Sequence, residues 1–168
     1  RIRELVCMLP ENRESGGTPE NCGDDLNRAC IGLEASRGDT GLMMRQISDE
    51  SLFIETKKDF AREMVTGFLK LNGMTIGAVA NCTERFDEEG NKAEQYEAAL
   101  TVRGLKKAAE FVKFCDDFRI PVLSLTNTEG YAAASCSEKG LAKAMAGLVR
   151  AFSQATVPKV NVLIGNAY

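Results

Sequence analysis

Two apolar runs, each emptying into small and polar residues and separated by one helical pattern, constrain this chain more than any other feature. The first, Val122-Leu123-Ser124-Leu125, leads into Asn127-Thr128-Glu129-Gly130-Tyr131. The second, Pro158–Ile164, leads into Gly165-Asn166-Ala167-Tyr168. Short apolar runs bounded by turn residues read as strands, and between them Leu141, Met145, Leu148 and Phe152 recur at helical spacing. Strand, loop, helix and strand make a parallel pair joined by a right-handed crossover. Both strand ends then fall on one edge of a sheet, the carboxyl edge where ligands of α/β proteins gather.

The remaining pattern extends this frame. Met64–Leu71 and Met74–Ala80 are strand-like and joined by Asn72-Gly73, the dipeptide of a type I′ hairpin. Leu52–Glu55 reads as a further strand after a short helix at Met43–Ile47. In Val102–Phe118, Leu105, Ala108, Ala109, Val112, Cys115 and Phe118 share one helical face, which Phe111 and Phe114 widen. A stripe that wide needs cover on two sides. Lys106, Lys107 and Lys113, interleaved with Glu110, Asp116 and Asp117, read as the solvated face of this helix. Ser135 with Glu138 three residues on is a capping-box signature for the next helix, which Pro158 ends. Nearer the start, Ile2–Leu9 reads as a short amphipathic helix closed by Pro10, Glu11–Gly23 as an exposed loop and Asp24–Glu34 as another short helix. Cys82–Ala93 is polar and reads as a surface excursion. The order β-β-α-β-α-β defines an α/β fold.

Composition removes several function classes. A chain of 168 residues suits one domain. A net charge of −3 argues against binding nucleic acid, which needs clustered Lys and Arg. No apolar run approaches the ~20 residues that insert into a bilayer, and no signal peptide opens the sequence. Arg1 opens on what reads as the middle of a helix, so the expectation is a segment of a longer, cytoplasmic polypeptide. Cys7, Cys22, Cys30, Cys82, Cys115 and Cys136 form no C-x-x-C and show no metal-ligand spacing, which suits reduced thiols and no metal site. Histidine is absent, which eliminates Ser-His-Asp and Cys-His nucleophiles.

At the sheet edge, Gly165-Asn166-Ala167 reads either as a tight turn or as an oxyanion hole, where small residues bring main-chain N–H groups close to a developing negative oxygen. Gly130 carries the same two readings. No phosphate-loop pattern is present. Glu129 is either a solvent-facing loop residue or an acid/base group, Glu138 suits a cap, and Tyr131 and Tyr168 suit pocket walls.

Together with these junctions, Leu9-Pro10-Glu11-Asn12, Met44-Arg45-Gln46-Ile47, Phe53-Ile54-Glu55 and Val65-Thr66-Gly67-Phe68 carry a resemblance. It continues through Val79-Ala80-Asn81, Phe114-Cys115-Asp116-Asp117-Phe118-Arg119-Ile120-Pro121, Asn127–Tyr131, and Ala155-Thr156-Val157-Pro158-Lys159-Val160 leading to Ile164–Tyr168. In this order, and collinear from about Gly41 onward, the stretches resemble the carboxyl-terminal domain of biotin-dependent acyl-CoA carboxyltransferases and related decarboxylases. The resemblance implies a crotonase/ClpP-like spiral of ββα units, here a partial domain. Residues 1–38 would be spacer and short helices from the inter-domain region, and 39–168 the first part of the carboxyl-terminal domain. It implies transfer of a carboxyl group between carboxybiotin, on a carrier domain, and an acyl-CoA, the chain by itself being inactive. Partners would be an amino-terminal carboxyltransferase domain, a biotin carboxylase and a biotin carrier protein, in a homo-oligomer. Carried over by position, Gly165, Asn166 and Ala167 would stabilise an enolate oxygen through the backbone. Thr128, Glu129, Gly130 and Tyr131 would line the biotin pocket. The sequence departs from the common pattern in having Glu129 for Pro, Tyr131 for Phe and Asn166 for Gly, and in lacking a basic residue in Ala144–Gly147. Its rivals are a sodium-pump decarboxylase subunit, a crotonase-type hydratase or isomerase using Glu129, and a non-catalytic docking domain.

Overall fold

The computed structural model describes residues 2–15, 21–87, 89–132 and 135–168, side chains of 135–139 excepted. A five-stranded sheet has the order β1-β2-β3-β6-β7, comprising β1 (Phe53–Thr56), β2 (Met64–Leu71), β3 (Met74–Asn81), β6 (Val122–Thr128) and β7 (Lys159–Ala167). β1, β2 and β3 pair antiparallel, whereas β3, β6 and β7 pair parallel. The two parallel pairs need the crossovers α3 (Val102–Asp117) and α4 (Ser135–Gln154). Two short helices, α1 (Ile2–Met8) and α2 (Thr40–Ile47), flank the sheet, and β4 (Glu84–Phe86) and β5 (Lys92–Gln95) form a separate hairpin.

Alternation along the strands separates two cores. On one face Met64, Phe68, Val79 and Val122 meet the Ala108-to-Cys115 stripe of α3, with Ala151 of α4 and Met8 of α1. On the other, Val65, Leu69, Ala78, Ala80 and Leu125 meet Met43 and Met44 of α2. The wide aromatic edge of α3 receives its second cover: Phe114 lies against Phe68 and Phe118, beside Leu5 and Leu9 from α1. The β2–β3 hairpin turns at Asn72 and Gly73, with φ of 52° and 73°, the positive values a type I′ turn requires. The Asp49 carboxylate accepts from both turn amides, at 3.1 and 2.7 Å.

Several elements differ from the sequence reading. Asp24–Glu34 is not a helix but a series of turns: Asp25 accepts from Asn27 N, and Gly32 takes a φ of 81°. Arg28, within it, donates to the Gln46 and Ser48 carbonyls at the end of α2. Cys82–Ala93 is more than an excursion, because β4 carries Arg85 inward to a two-pronged bond with Glu55 of β1. The predicted α4 stripe is only partly buried; among its described side chains Ala144 and Ala151 are the buried ones, small enough to let α4 close on its neighbours. The Ser135–Glu138 capping pair and Cys136 lie outside the described residues. Cys82 and Cys115 are buried and free, their thiols pushed up to about 11 and about 12 by burial. No helix among the described residues is long and apolar enough to cross a membrane.

Lys107 is the largest correction. It is 1% exposed, and its ammonium donates to the carbonyls of Phe60, Ala61 and Met64 at 2.8, 3.3 and 2.6 Å. Its helix position faces the β1–β2 connection, whose Lys57 and Ala61 adopt positive φ and so turn carbonyls inward. Burial lowers this lysine to about 8, against the raising pull of Glu55. The folded protein therefore releases the proton at lower pH than the unfolded chain, and stability rises with pH between about 8 and the free-lysine value of 10.5. Lys107→Met removes that slope from stability measured by denaturant titration over this pH range. At pH 7 it costs about 2 kcal/mol, because carbonyls lose their donor.

Candidate active site

The carboxyl ends of β3, β6 and β7 meet on one rim, and three asparagines set its geometry. Asn81, the last residue of β3, is 9% exposed. Its Nδ2 donates to the Asn127 carbonyl, while its Oδ1 accepts from Asn127 N at 2.8 Å. Asn127 in turn places its own Oδ1 3.1 Å from the Asn166 N–H of β7. One carboxamide thus ties β3 to β6, and the next ties β6 to β7.

The second tie sits where the parallel register breaks. Thr126 pairs with Leu163, but Thr128 pairs with Ala167, so β7 spends two more residues than β6 over the same step. Gly165 lies in this bulge. A Cβ there would overlap the Asn127 carboxamide oxygen, and only glycine leaves that oxygen room. Beyond the bulge, Tyr168 N donates to Thr128 O at 3.2 Å.

The β6 side of the rim is equally tied. Thr128 is buried, its hydroxyl 3.1 Å from Ala98 O and 2.9 Å from Gly130 O, and it accepts from Gly130 N. Leu100 N donates to Gly130 O, and Gly130 holds a φ of 125°, a conformation that L side chains rarely adopt. Glu129 is exposed and accepts from Asn166 Nδ2 at 3.3 Å. Tyr131 and Tyr168 are exposed on the same rim. The structure therefore brings Thr128 and Glu129 together with Asn166 and Ala167, and Gly165 against Asn127, whereas Gly130 and Tyr131 are tied to Leu100. It also extends both strands past their predicted ends, so that Thr128 and Gly165–Ala167 are strand rather than turn residues.

Beneath the rim is a cavity of about 270 Å³ between the sheet and α4. Asn81, Ser124, Thr126, Thr128 and Asn161 supply its polar atoms, Leu100, Leu148 and Phe152 are among its apolar ones, and no charged side chain among the described residues lines it. Asn161 Oδ1 accepts from Thr126 Oγ1 at 2.8 Å and lies 3.2 Å from Ser124 Oγ. The entry of β7 is set from behind by Asp116 at the end of α3. Burial works to raise this carboxyl, but bonds from Thr156 N and Oγ1 and from Val157 N outweigh it and hold it below the usual carboxylate range. Among the described residues no group of three or more His, Cys, Asp or Glu is placed to hold a metal ion.

Asn81 and Asn127 are the site residues that sequence reasoning passes over. Their signal is an amide-bearing residue near the end of each of two adjacent strands, which becomes meaningful only once the strands are known to be neighbours.

Comparison with known proteins agrees with this architecture. The family model described as the carboxyl transferase domain matches residues 1–168, and the chain belongs to that family. It is 34% identical to a propionyl-CoA carboxylase beta chain of Cereibacter sphaeroides, over 99% of this chain and 32% of that one. It is 30% identical to the methylmalonyl-CoA carboxyltransferase 12S subunit of Propionibacterium freudenreichii subsp. shermanii, over 99% and 31%. A crystal structure of transcarboxylase 12S, described in its hexamer assembly with methylmalonyl-coenzyme A and methylmalonic acid bound, superposes with a TM-score of 0.79 at 28% identity. That superposition covers 96% of this chain and 31% of the other. The fold is the crotonase-like fold of these carboxyltransferases. The chain spans about a third of the length of the curated relatives it matches.

The wedge between Gly165 and Asn127 gives a direct test. Gly165→Ala is expected to cost about 1–3 kcal/mol in equilibrium unfolding, the usual penalty for overpacking. In an Asn127→Ala background, where the oxygen is gone, the same change should cost at least about 0.5 kcal/mol less.

Proposed function

We propose that this chain forms one wall of a carboxyltransferase site that moves a carboxyl group between carboxybiotin and an acyl-CoA. The observation that carries the reading is the junction of β6 and β7, where Thr128 pairs with Ala167 and the Gly165–Asn166 bulge comes onto the rim. Carboxybiotin, when bound, supplies the carboxyl group. A neutral ureido ring calls for hydrogen-bonding amides and hydroxyls rather than an opposing charge, and the cavity under this rim is lined in that way. The glycine at 165 is part of the fit, since a Cβ there would displace the carboxamide that supports the bulge.

Within this reading each residue has a stated task. Of the Asn166–Ala167 pair, Asn166 N is already bonded to the Asn127 carboxamide, so the Ala167 main chain is the part that faces the ureido oxygen, and Gly165 leaves room for that carboxamide. Thr128 lines the cavity and fixes the turn through Ala98 and Gly130, which carries Glu129–Tyr131 out past it. Glu129 is held at Asn166 rather than aimed alone into the cavity. The wall thus works through oriented dipoles that need no reorganisation as charge develops, a contribution of roughly 3–4 kcal/mol for one such donor. The reading makes residues 39–168 part of a carboxyl-terminal carboxyltransferase domain. It requires an amino-terminal carboxyltransferase domain to hold the acyl-CoA, a biotin carrier protein and a biotin carboxylase. A homo-oligomer accords with the hexamer described for transcarboxylase 12S.

A polypeptide carrying this chain, incubated with carboxylated biotin carrier and a panel of acyl-CoA thioesters, should pass isotopic label from carrier to thioester and back. No movement of label in either direction with any thioester would remove the proposal.

A further inference from the structure

We propose that Asn127, braced by Asn81, is a positioning residue that holds the β7 bulge in register and thereby orients the main-chain donors of the rim. The inference rests on the carboxyl-transfer reading for its catalytic consequence, but its geometry stands apart from it. A bulge two residues longer than its partner strand leaves amides without ladder partners, and a strand in that condition slips or relaxes unless something else binds them. The Asn127 carboxamide fills that role, accepting from Asn166 N at the centre of the bulge. It is well suited to do so, because the Asn127 backbone is itself gripped on both its N–H and its C=O by the buried Asn81 side chain. Removing the carboxamide frees the bulge from β6, and displacements of about 1 Å from a productive geometry cost on the order of 100-fold in rate.

Two variants separate the possible roles. Asn127→Asp keeps an oxygen acceptor for the Asn166 N–H, while Asn127→Ala removes it. In the 168-residue chain, hydrogen exchange at the Asn166 amide followed by NMR should be at least about tenfold faster in Asn127→Ala than in wild type, and near wild type in Asn127→Asp. In carboxyl transfer by a polypeptide carrying the chain, Asn127→Ala should lower kcat about 10- to 100-fold with KM for acyl-CoA within about twofold, and Asn127→Asp should restore most of it. Unchanged exchange in Asn127→Ala overturns the inference. So does a kcat loss that Asp fails to rescue, or a rise in activity, which would make the carboxamide oxygen a competitor for the ligand's place. If Asn127→Ala does not fold, Asn81→Asp decides: it keeps the acceptor for Asn127 N but loses the donor to Asn127 O, and should speed Asn166 exchange. Wild-type protection at Asn166 without carboxyl transfer would count against the functional reading and leave the exchange comparison to decide this one.

Discussion

The rim of this protein depends on carboxamides that substitute for a missing stretch of sheet ladder. A side-chain amide carries the donor and acceptor of a peptide group, so it can continue a hydrogen-bond pattern where backbone geometry no longer permits it. Asn81 does this between β3 and β6, and Asn127 does it between β6 and β7. The result is an irregular strand end that is nonetheless tied at each step. A regular ladder directs its N–H groups to the neighbouring strand, whereas in this bulge the Asn166 N–H is directed to a side chain instead.

The placement of this rim is prepared far from it. Lys107 gathers two carbonyls of the β1–β2 connection and the first of β2 against α3, and Arg85 with Glu55 ties the β4–β5 hairpin to β1. Asp116 fixes the turn through which α4 delivers β7. Lys107 and Asp116 each satisfy more than one backbone group with a single charged side chain, a compact way to order connections too short to form ladders of their own.

Much of this was legible in the sequence, for reasons particular to each element. The Asn72-Gly73 turn and the α3 stripe are local signals, fixed by backbone sterics and by helical period, and the structure follows both. The two strand-to-glycine junctions were readable as neighbours because a parallel crossover leaves little freedom in where strand ends fall. The sequence was opaque where a residue acts across space. Lys107 falls among charges that suit a solvated face, and nothing local says that carbonyls of residues 60–64 turn toward it. Asp24–Glu34 has a helix-like composition, yet Arg28 is committed to the end of α2. The strand ends were placed too early because small and polar residues usually signal a turn, whereas here Asn127 and the bulge keep them in the sheet.

β7 is an edge of the sheet among the described residues, and the ties described for it come from β6, from Glu129 and, at its root, from Asp116. Its outer margin is open, with Val160 and Leu163 59% and 60% exposed and Tyr168 85%. Mechanically the strand is a cantilever, clamped along one side and at its root while the other side carries no load. Among the described residues the tip of that beam is held through a single inter-strand seam, so the stiffness of that seam sets how far the tip can swing.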